Sequence, residues 1–486
     1  MTDSILYWNE VALEANRVSH TNDKKEQTGP TLSSRALAIT HLAMHDAYAR
    51  VNVAAGLPPY MPGPLAVPPG ATTQAAVATA AHATLSELFP SQKGFFDAKL
   101  AEVGGVLNPG YGLGLQVAQA ILADRKDDPN ADGEGYVPSY ERGKHRVDPD
   151  NPAQGFHAPF YGARSKGFAI TARHGLNAPP FNNPEYDTAL RQVRGRGIAP
   201  ELMGTLPAGV NARTVDQTLI GLFWGYDGAA ELGTPPRLYN QIVRRIAIAR
   251  GNSEAENARL FALVNVAMGD AGILAWDQKY VHDFWRPVVG IRQHDLSMGM
   301  ATVATNDISD DCDTGWLPLG APVTNAMSHN RKMQVAVAFS YNQTVVEQPK
   351  NFTPNFPAYP SGHATFGAAA FHITRLFYGV KSGDRGRDDL FKDLDFVSDE
   401  FNGVNQDNRG TIRPRHVRKF PDGLWQMIEE NGRSRVFLGV HWIFDAFAVK
   451  NGKPDLSRNV GGVPLGLKIA EDIFSSGLVK SPVPPK

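Results

Sequence analysis

The amino-acid sequence predicts an all-α protein: two helical bundles with long ordered loops, the active site lying in the C-terminal bundle. Two observations carry this reading. Apolar residues recur at three- and four-residue spacing through most of the chain, with few of the strict alternations that mark half-buried strands. Between those stretches lie segments dense in Gly, Pro, Asn and Asp, which break the period. With 47 Gly and 35 Pro in 486 residues, long irregular connections are expected, yet the composition stays globular.

In chain order, helical patterns cover 33–51, 73–89, 97–125, 236–250, 255–285, 333–347, 361–378, 389–403 and 421–433. Residues 126–212 lose the period and read as a long ordered excursion with at most short helices. Two further loops are expected, 295–330 and the proline-studded 348–360. No internal repeat or heptad pattern appears. A division near residue 210 gives an N-terminal helical region (1–210) that carries the excursion and a C-terminal bundle (211–486).

Bulk charge excludes some partners. The formal net charge is −1, which points to neither nucleic acid nor an anionic membrane surface. Any anion site must come from locally clustered cations. Cys312 is the only cysteine, so an internal disulfide and a Cys-based metal site are both excluded. The N-terminus shows no basic stretch followed by an apolar run, and the stretch FALVNVAMGDAGILAW is interrupted by Asn265 and Asp270. The expectation is a soluble, cytoplasmic protein.

Three separated motifs carry the chemistry. In KYVHDFWRP, Lys279 and Arg286 stand seven residues apart in a helical pattern, nearly two turns, which puts both cations on one face with Pro287 ending the helix. A solvated basic stripe is the ordinary reading of such a pair. Here Trp276, Tyr280, Phe284 and Trp285 surround it and argue for burial.

The second motif, Pro360-Ser361-Gly362-His363, stands just before a helix. Ser361 suits the N-cap, Gly362 admits close backbone approach, and the free N–H groups of a helix start stabilise an oxyanion beside His363. In the third, SRVFLGVH, Arg435 and His441 are six apart. On a continuous helix they would splay by roughly 120°, so both reach one ligand only if the backbone bends, with Gly439 the place for it. Asp445 lies one turn beyond His441, where it orients the His441 helix or ring or else stands unpaired at the surface, and Asp227 in FWGYDGAAELGTPPR is the candidate carboxylate for fixing an Arg.

Together these residues describe a trap for one tetrahedral or bipyramidal oxyanion, and phosphate fits it as well as vanadate. Two other clusters are set aside: the i, i+4 pair His41 and His45 with Asp46 lacks a third ligand and reads as core or inter-helix histidines, and Asp310-Asp311-Cys312-Asp313 lacks the spacing of a calcium loop and reads as a solvated loop.

The three motifs resemble the signature shared by vanadium-dependent haloperoxidases and PAP2-type acid phosphatases. FWRPVVGIR, WLPLGAPVTN, FPAYPSGHATFG, DEFNGVN, RSRVFLGVHWIFDA, YDGAAELGTPPRLYNQIVRRIA and RALAITHLAMHDAY look further like the fungal vanadium chloroperoxidase branch, across roughly residues 33–450. The resemblance implies a vanadate cofactor held by Lys279, Arg286, Ser361, Gly362, His363, Arg435 and His441. It makes His441 the vanadium ligand, His363 the acid–base partner and Lys279 the group that polarises peroxide, with Asp227 the acidic partner of Arg435.

The activity implied is oxidation of halide by hydrogen peroxide to hypohalous acid, which halogenates small organic substrates. Phe356 matches the position where the chloroperoxidase branch carries Phe and many bromoperoxidases carry His. With Trp276 and Pro354 it forms an apolar approach, so both chloride and bromide are expected to react. The alternative is phosphomonoester hydrolysis, with His441 as nucleophile and His363 as proton donor.

Overall fold

In the computed structural model, which describes residues 3–104, 108–294, 311–322, 352–407, 411–478 and 483–486, the chain enters helix α1 (Ser4–Thr21) with the Asp3 carboxylate capping Leu6 N–H. Helices α2 (Gly29–Val51), α3 (Thr73–Leu88), α4 (Lys93–Glu102) and α5 (Gly110–Asp124) follow. The single helix expected over 97–125 is two. Gly104 adopts a left-handed φ of +65°, and Pro109 precedes the restart at Gly110, where the Asn108 side chain accepts the Gly110 N–H.

Residues 126–212 hold α6 (Tyr161–Arg164) and α7 (Pro184–Arg196), the latter longer than the broken periodicity suggests. Asn183 caps α7 and Pro184 opens it. Then come α8 (Val215–Phe223), α9 (Pro235–Arg250), α10 (Glu254–His282), α11 (Pro287–Arg292), α12 (Gly362–Phe377), α13 (Gly423–Phe437), α14 (Ile443–Ala446) and α15 (Gly462–Ser476). Sequence periodicity missed α1, α8 and α15. The helix expected over 389–403 is absent: the segment holds a two-residue strand, Asp395–Phe396, paired with Arg418–Lys419, and one turn at Asp399–Phe401. Its aspartates serve tertiary partners instead, Asp389 with Arg250, Asp395 with Arg245 and Asp399 with Arg237. The helix expected at 333–347 lies outside the described residues, as do parts of both loops around it.

Helix α10 organises the molecule. It packs against α2 and α6 on one side and against α12 and α15 on the other, while α12 also meets α13. Ser253 and Glu256 start it with a reciprocal capping box. Its length and apolarity match a membrane span, which the interruptions at Asn265 and Asp270 did not suggest, but 94% of its apolar window is buried inside the protein. Burial of each Leu, Ile or Phe there stabilises by about 1.5–3 kcal/mol. Asp270 is buried because its carboxylate accepts the N–H groups of Phe168, Ala169 and Ile170 at 2.6–2.9 Å, which ties the long excursion to the core. Asn265 bonds Asn240 of α9 at 2.8 and 3.0 Å.

The histidine cluster has structural partners, and the described part of the acidic run, expected as a solvated loop, is partly buried. His41 uses both ring nitrogens, on the Leu37 carbonyl and the Asn9 amide, and Asp46 accepts the N–H groups of Tyr60 and Met61. Asp311 pairs with Arg191.

Candidate active site

Lys279 occupies the last turn of α10, but Arg286 does not share its helix. The helix stops at His282, where Asp283 takes a left-handed φ of +50° and returns its N–H to the Lys279 carbonyl. Arg286 is the N-cap of α11, and Pro287 opens that helix instead of closing the preceding one. The two cations still converge, because the reversal at Asp283 folds Arg286 back under Lys279. Both stay buried, 0% and 1% exposed.

Lys279 Nζ donates to the carbonyls of Pro357, Ala358 and Pro360 at 2.7, 3.2 and 2.6 Å, which occupies its three protons. The ammonium also lies 4.9 Å from the Phe356 ring centre. Burial, with Arg286 next, drives its pKa well below the ordinary Lys value. Arg286 donates through Nε to the Phe356 carbonyl and through Nη1 to the Val440 carbonyl and to His441 Nε2, at 2.9, 2.8 and 2.9 Å. Burial pulls its pKa down to about 9.

Helix α12 begins as the motif predicts. Ser361 is the N-cap, its Oγ accepting Ala364 N–H, and its own N–H donates to the Asp445 carbonyl. Gly362 forms the cavity wall against Trp276; an added Cβ would meet that indole at 3.4 Å. His363 Nε2 donates to the Gly225 carbonyl at 2.7 Å, and Asn431 and Tyr239 hold the His363 carbonyl from behind. Burial, then Arg435, takes His363 down to about 3, so its ring is neutral at ordinary pH.

The bend demanded by the six-residue gap is at Gly439. Helix α13 ends at Phe437, Gly439 turns left-handed with φ +75°, and its N–H and that of Val440 return to the Val436 and Arg435 carbonyls, a Schellman closure. No side chain fits there, since a Cβ would lie 2.5 Å from the Gly197 carbonyl. His441 follows directly. Its Nδ1 donates to Asp445 Oδ2 at 2.7 Å, leaving the Nε2 lone pair toward Arg286. Burial pushes the Asp445 carboxyl up to about 7 and His441 well below its usual value. Arg435 is clamped by Asp227 through Nη1 and Nη2 at 3.0 and 2.7 Å, the pairing anticipated for that carboxylate. The Asp227 turn is itself braced by buried Glu400, which accepts Tyr226 N–H and pairs with Arg413.

Asp227, Trp276, Pro354, Phe356, Gly362, His363, Arg435 and His441 line one cavity of about 260 Å³. Lys279, Arg286 and Ser361 lie behind its wall, touching lining residues. Sequence reasoning missed other lining groups, among them His20, Lys25, Thr28, Pro30 and His157. His157 packs 5.9 Å from Trp276 and 6.1 Å from Phe356, and its carbonyl accepts Trp276 Nε1 and Tyr280 OH. No local pattern announces these residues; they arrive from the N-terminal loop and the excursion.

Two guanidinium donors in this arrangement, Arg286 Nη2 and Arg435 Nε, are buried with no hydrogen-bond partner. Buried unpaired donors on cations cost several kcal/mol in a low-dielectric setting, on the order of 1–3 each. Three buried cations beside two neutral imidazoles fit a multiply charged oxyanion and suit a hard oxometal anion far better than a bare divalent cation.

Comparison with known proteins identifies the family. Residues 1–167 match the family profile of the vanadium chloroperoxidase N-terminal domain, and residues 259–463 that of the VCPO second helical-bundle domain. Vanadium chloroperoxidase of Curvularia inaequalis is 36% identical over an alignment that spans all of this chain and 91% of that protein. Among solved structures, a bacterial vanadium-dependent iodoperoxidase superposes with a TM-score of 0.64 at 18% identity, covering 96% of this chain and 95% of that one. The holo form of a bacterial vanadium-dependent chloroperoxidase gives 0.57 at 15% identity, with 94% of each chain covered. Those two likenesses speak to the helical fold; the whole-length sequence identity speaks to the chemistry. The chain belongs to the vanadium chloroperoxidase family and is a vanadate-dependent haloperoxidase.

Proposed function

We propose that this enzyme oxidises chloride and bromide with hydrogen peroxide to hypohalous acid, and that vanadate is held by Lys279, Arg286, Ser361, Gly362, His363, Arg435 and His441. One observation supports the ligand assignment: Arg286 and Arg435 each keep a buried donor unpaired beside the cavity that His441 lines, and Asp445 fixes the His441 ring with its Nε2 lone pair accepting only from Arg286. When bound, vanadate supplies a Lewis acid that activates peroxide toward halide without changing its own oxidation state.

The remaining work belongs to side chains. Arg286 Nη2 and Arg435 Nε donate to oxyanion oxygens, and Asp227 keeps Arg435 in register. His441 would offer Nε2 to vanadium in place of the bond from Arg286, while Asp445 holds the Nδ1 proton. Lys279, whose three protons rest on main-chain carbonyls, would turn one of them toward the anion or peroxide and so withdraw electron density there. His363, neutral before the anion arrives, takes a proton from peroxide and returns it to the leaving oxygen. The wall of Trp276, Pro354 and Phe356 strips water from the incoming halide, a cost that is larger for chloride than for bromide. The division of the chain near residue 210 belongs to the same reading, supported by its position between the two matched family segments.

The direct test loads the apoprotein with vanadate and follows bromination and chlorination of a phenol with hydrogen peroxide, with phosphate as competitor. Halogenation that needs vanadate and is suppressed by phosphate is the expected result. Rapid phosphomonoester hydrolysis without halogenation would assign the trap to phosphate chemistry instead.

A further inference from the structure

The cavity includes the oxyanion site, with Gly362, His363, Arg435 and His441 in its lining, and extends beyond it to Lys25, Pro30 and Phe352. At about 260 Å³ it exceeds many times the roughly 10–15 Å³ that one water-sized ligand requires. One side is apolar, formed by Pro30, Trp276, Phe352, Pro354, Phe356 and Phe366. Lys25 also lines it, on the loop between α1 and α2, exposed and with no carboxylate partner among the described residues.

That loop is held firmly. Glu26 accepts both the N–H and the hydroxyl of Ser91 at 2.8 and 2.6 Å, Ser33 donates to the Gln27 carbonyl, Thr28 to the Lys25 carbonyl, and Gly29 N–H to His20 Nε2. Lys25 and Gln27 are both left-handed, with φ 52° and 51°, a conformation that costs a non-glycine residue energy unless its surroundings impose it. Gly29 has φ 77°, and a Cβ there would strike the His157 ring at 2.5 Å, so the loop closes directly onto the cavity wall. An unpaired cation on a well-held loop thus lines the same cavity as the aromatic residues and as His363, Arg435 and His441.

We propose that the organic acceptor is a small aromatic acid bound in this cavity, its ring along the Trp276–Phe356 wall and its acid group toward Lys25, and that it is halogenated there. The inference rests on the haloperoxidase reading of the same site. The balance is one aromatic C–H bond exchanged for a carbon–halogen bond: halide loses two electrons, both peroxide oxygens are reduced to water, and the ring proton with one proton from solvent completes the two water molecules. Binding at the site of oxidation makes the choice of acceptor a property of the protein, where free hypohalous acid would follow only the acceptor's intrinsic reactivity.

The test uses the vanadate-loaded enzyme with 4-hydroxyphenylacetate and its neutral amide, 4-hydroxyphenylacetamide. Calorimetry should show the acid binding and Lys25→Gln weakening it about fivefold, the scale of one partly exposed ion pair. The amide should bind alike to both proteins, and Lys25→Arg should restore the acid. In competition with bromide and peroxide, the ratio of brominated acid to brominated amide should exceed that from reagent hypobromous acid about fivefold and fall to the reagent value in Lys25→Gln. A reagent-like ratio from the unaltered enzyme, or acid binding indifferent to Lys25→Gln, overturns the inference while leaving halide oxidation intact. If peroxide is not consumed with bromide, the haloperoxidase reading fails, and the calorimetric arm still decides whether the cavity binds the acid.

Discussion

His441 gives its Nδ1 proton to the Asp445 carboxylate at 2.7 Å, whereas His363, across the same cavity, gives its Nε2 proton to the Gly225 main-chain carbonyl at 2.7 Å. The rings are alike and both are driven neutral by burial, yet opposite nitrogens are tied and the partners differ in charge. A carboxylate feeds electron density through the ring and makes Nε2 a better ligand; a carbonyl fixes orientation and leaves the ring free to exchange a proton. The proposed division of labour, ligand on one side and proton carrier on the other, is thus written in second partners more than in the histidines themselves.

The largest expected effect separates the two rings directly. His441→Ala should weaken vanadate retention by about 100-fold or more, read by equilibrium dialysis, and abolish halogenation. His363→Ala should lower halide oxidation on the order of 100-fold while vanadate affinity changes much less. Equal losses of retention in both variants would erase the distinction. Asp445→Asn tests the carboxylate itself: the amide keeps the shape but not the charge, and vanadate affinity should fall about 10-fold. A variant that binds normally would mean that Asp445 only positions the ring.

Gly439→Ala asks whether the bend between Arg435 and His441 is obligatory. With φ +75° and the Gly197 carbonyl 2.5 Å from any Cβ, the substitution should cost about 1–3 kcal/mol in stability and loosen vanadate, measured by thermal unfolding with and without the anion. His41 supplies a contrast outside the site. Burial lowers its pKa to about 4, so below the ordinary value of about 6.5 the unfolded chain takes up a proton that the folded chain refuses. Its contribution, up to about 3 kcal/mol, is therefore present above pH 6.5 and lost as pH falls toward 4. His41→Gln should flatten that part of the apoprotein's stability profile, and an unaltered profile would assign the acid sensitivity to other groups. The smallest change is Phe356→His, which should reduce chloride oxidation more than bromide oxidation; an unchanged ratio removes the apolar wall from the account of halide choice.

Much of the site was legible because it depends on short-range chemistry. Ser361 caps the helix that its spacing implied, Gly439 bends where the six-residue gap required it, and Asp445 reaches the ring one turn back. Asp227 was found through charge compensation alone. The shared face of Lys279 and Arg286 was wrong in its cause though right in its result: helical periodicity runs on through Phe284 and Trp285, but Asp283 has already reversed the chain. Those aromatics are apolar because they pack on Phe181 and Tyr186, not because they continue a helix. Residues 389–403 failed in the opposite way, their aspartates drawn off to arginines of α9.

By itself the sequence determined the helical class, the positions of the three motifs, the caps and the glycine bend, since each follows from covalent geometry and hydrogen bonds within a few residues. Only the tertiary structure decided which donors remain unpaired, which nitrogen of each histidine is free, and that Lys25 and His157 stand at the same cavity. Those outcomes depend on carbonyls and side chains 70 or more residues away, Phe356 for Arg286, Gly225 for His363 and His157 for Trp276 among them. No local pattern encodes such meetings, because burial and charge compensation are properties of the packed whole.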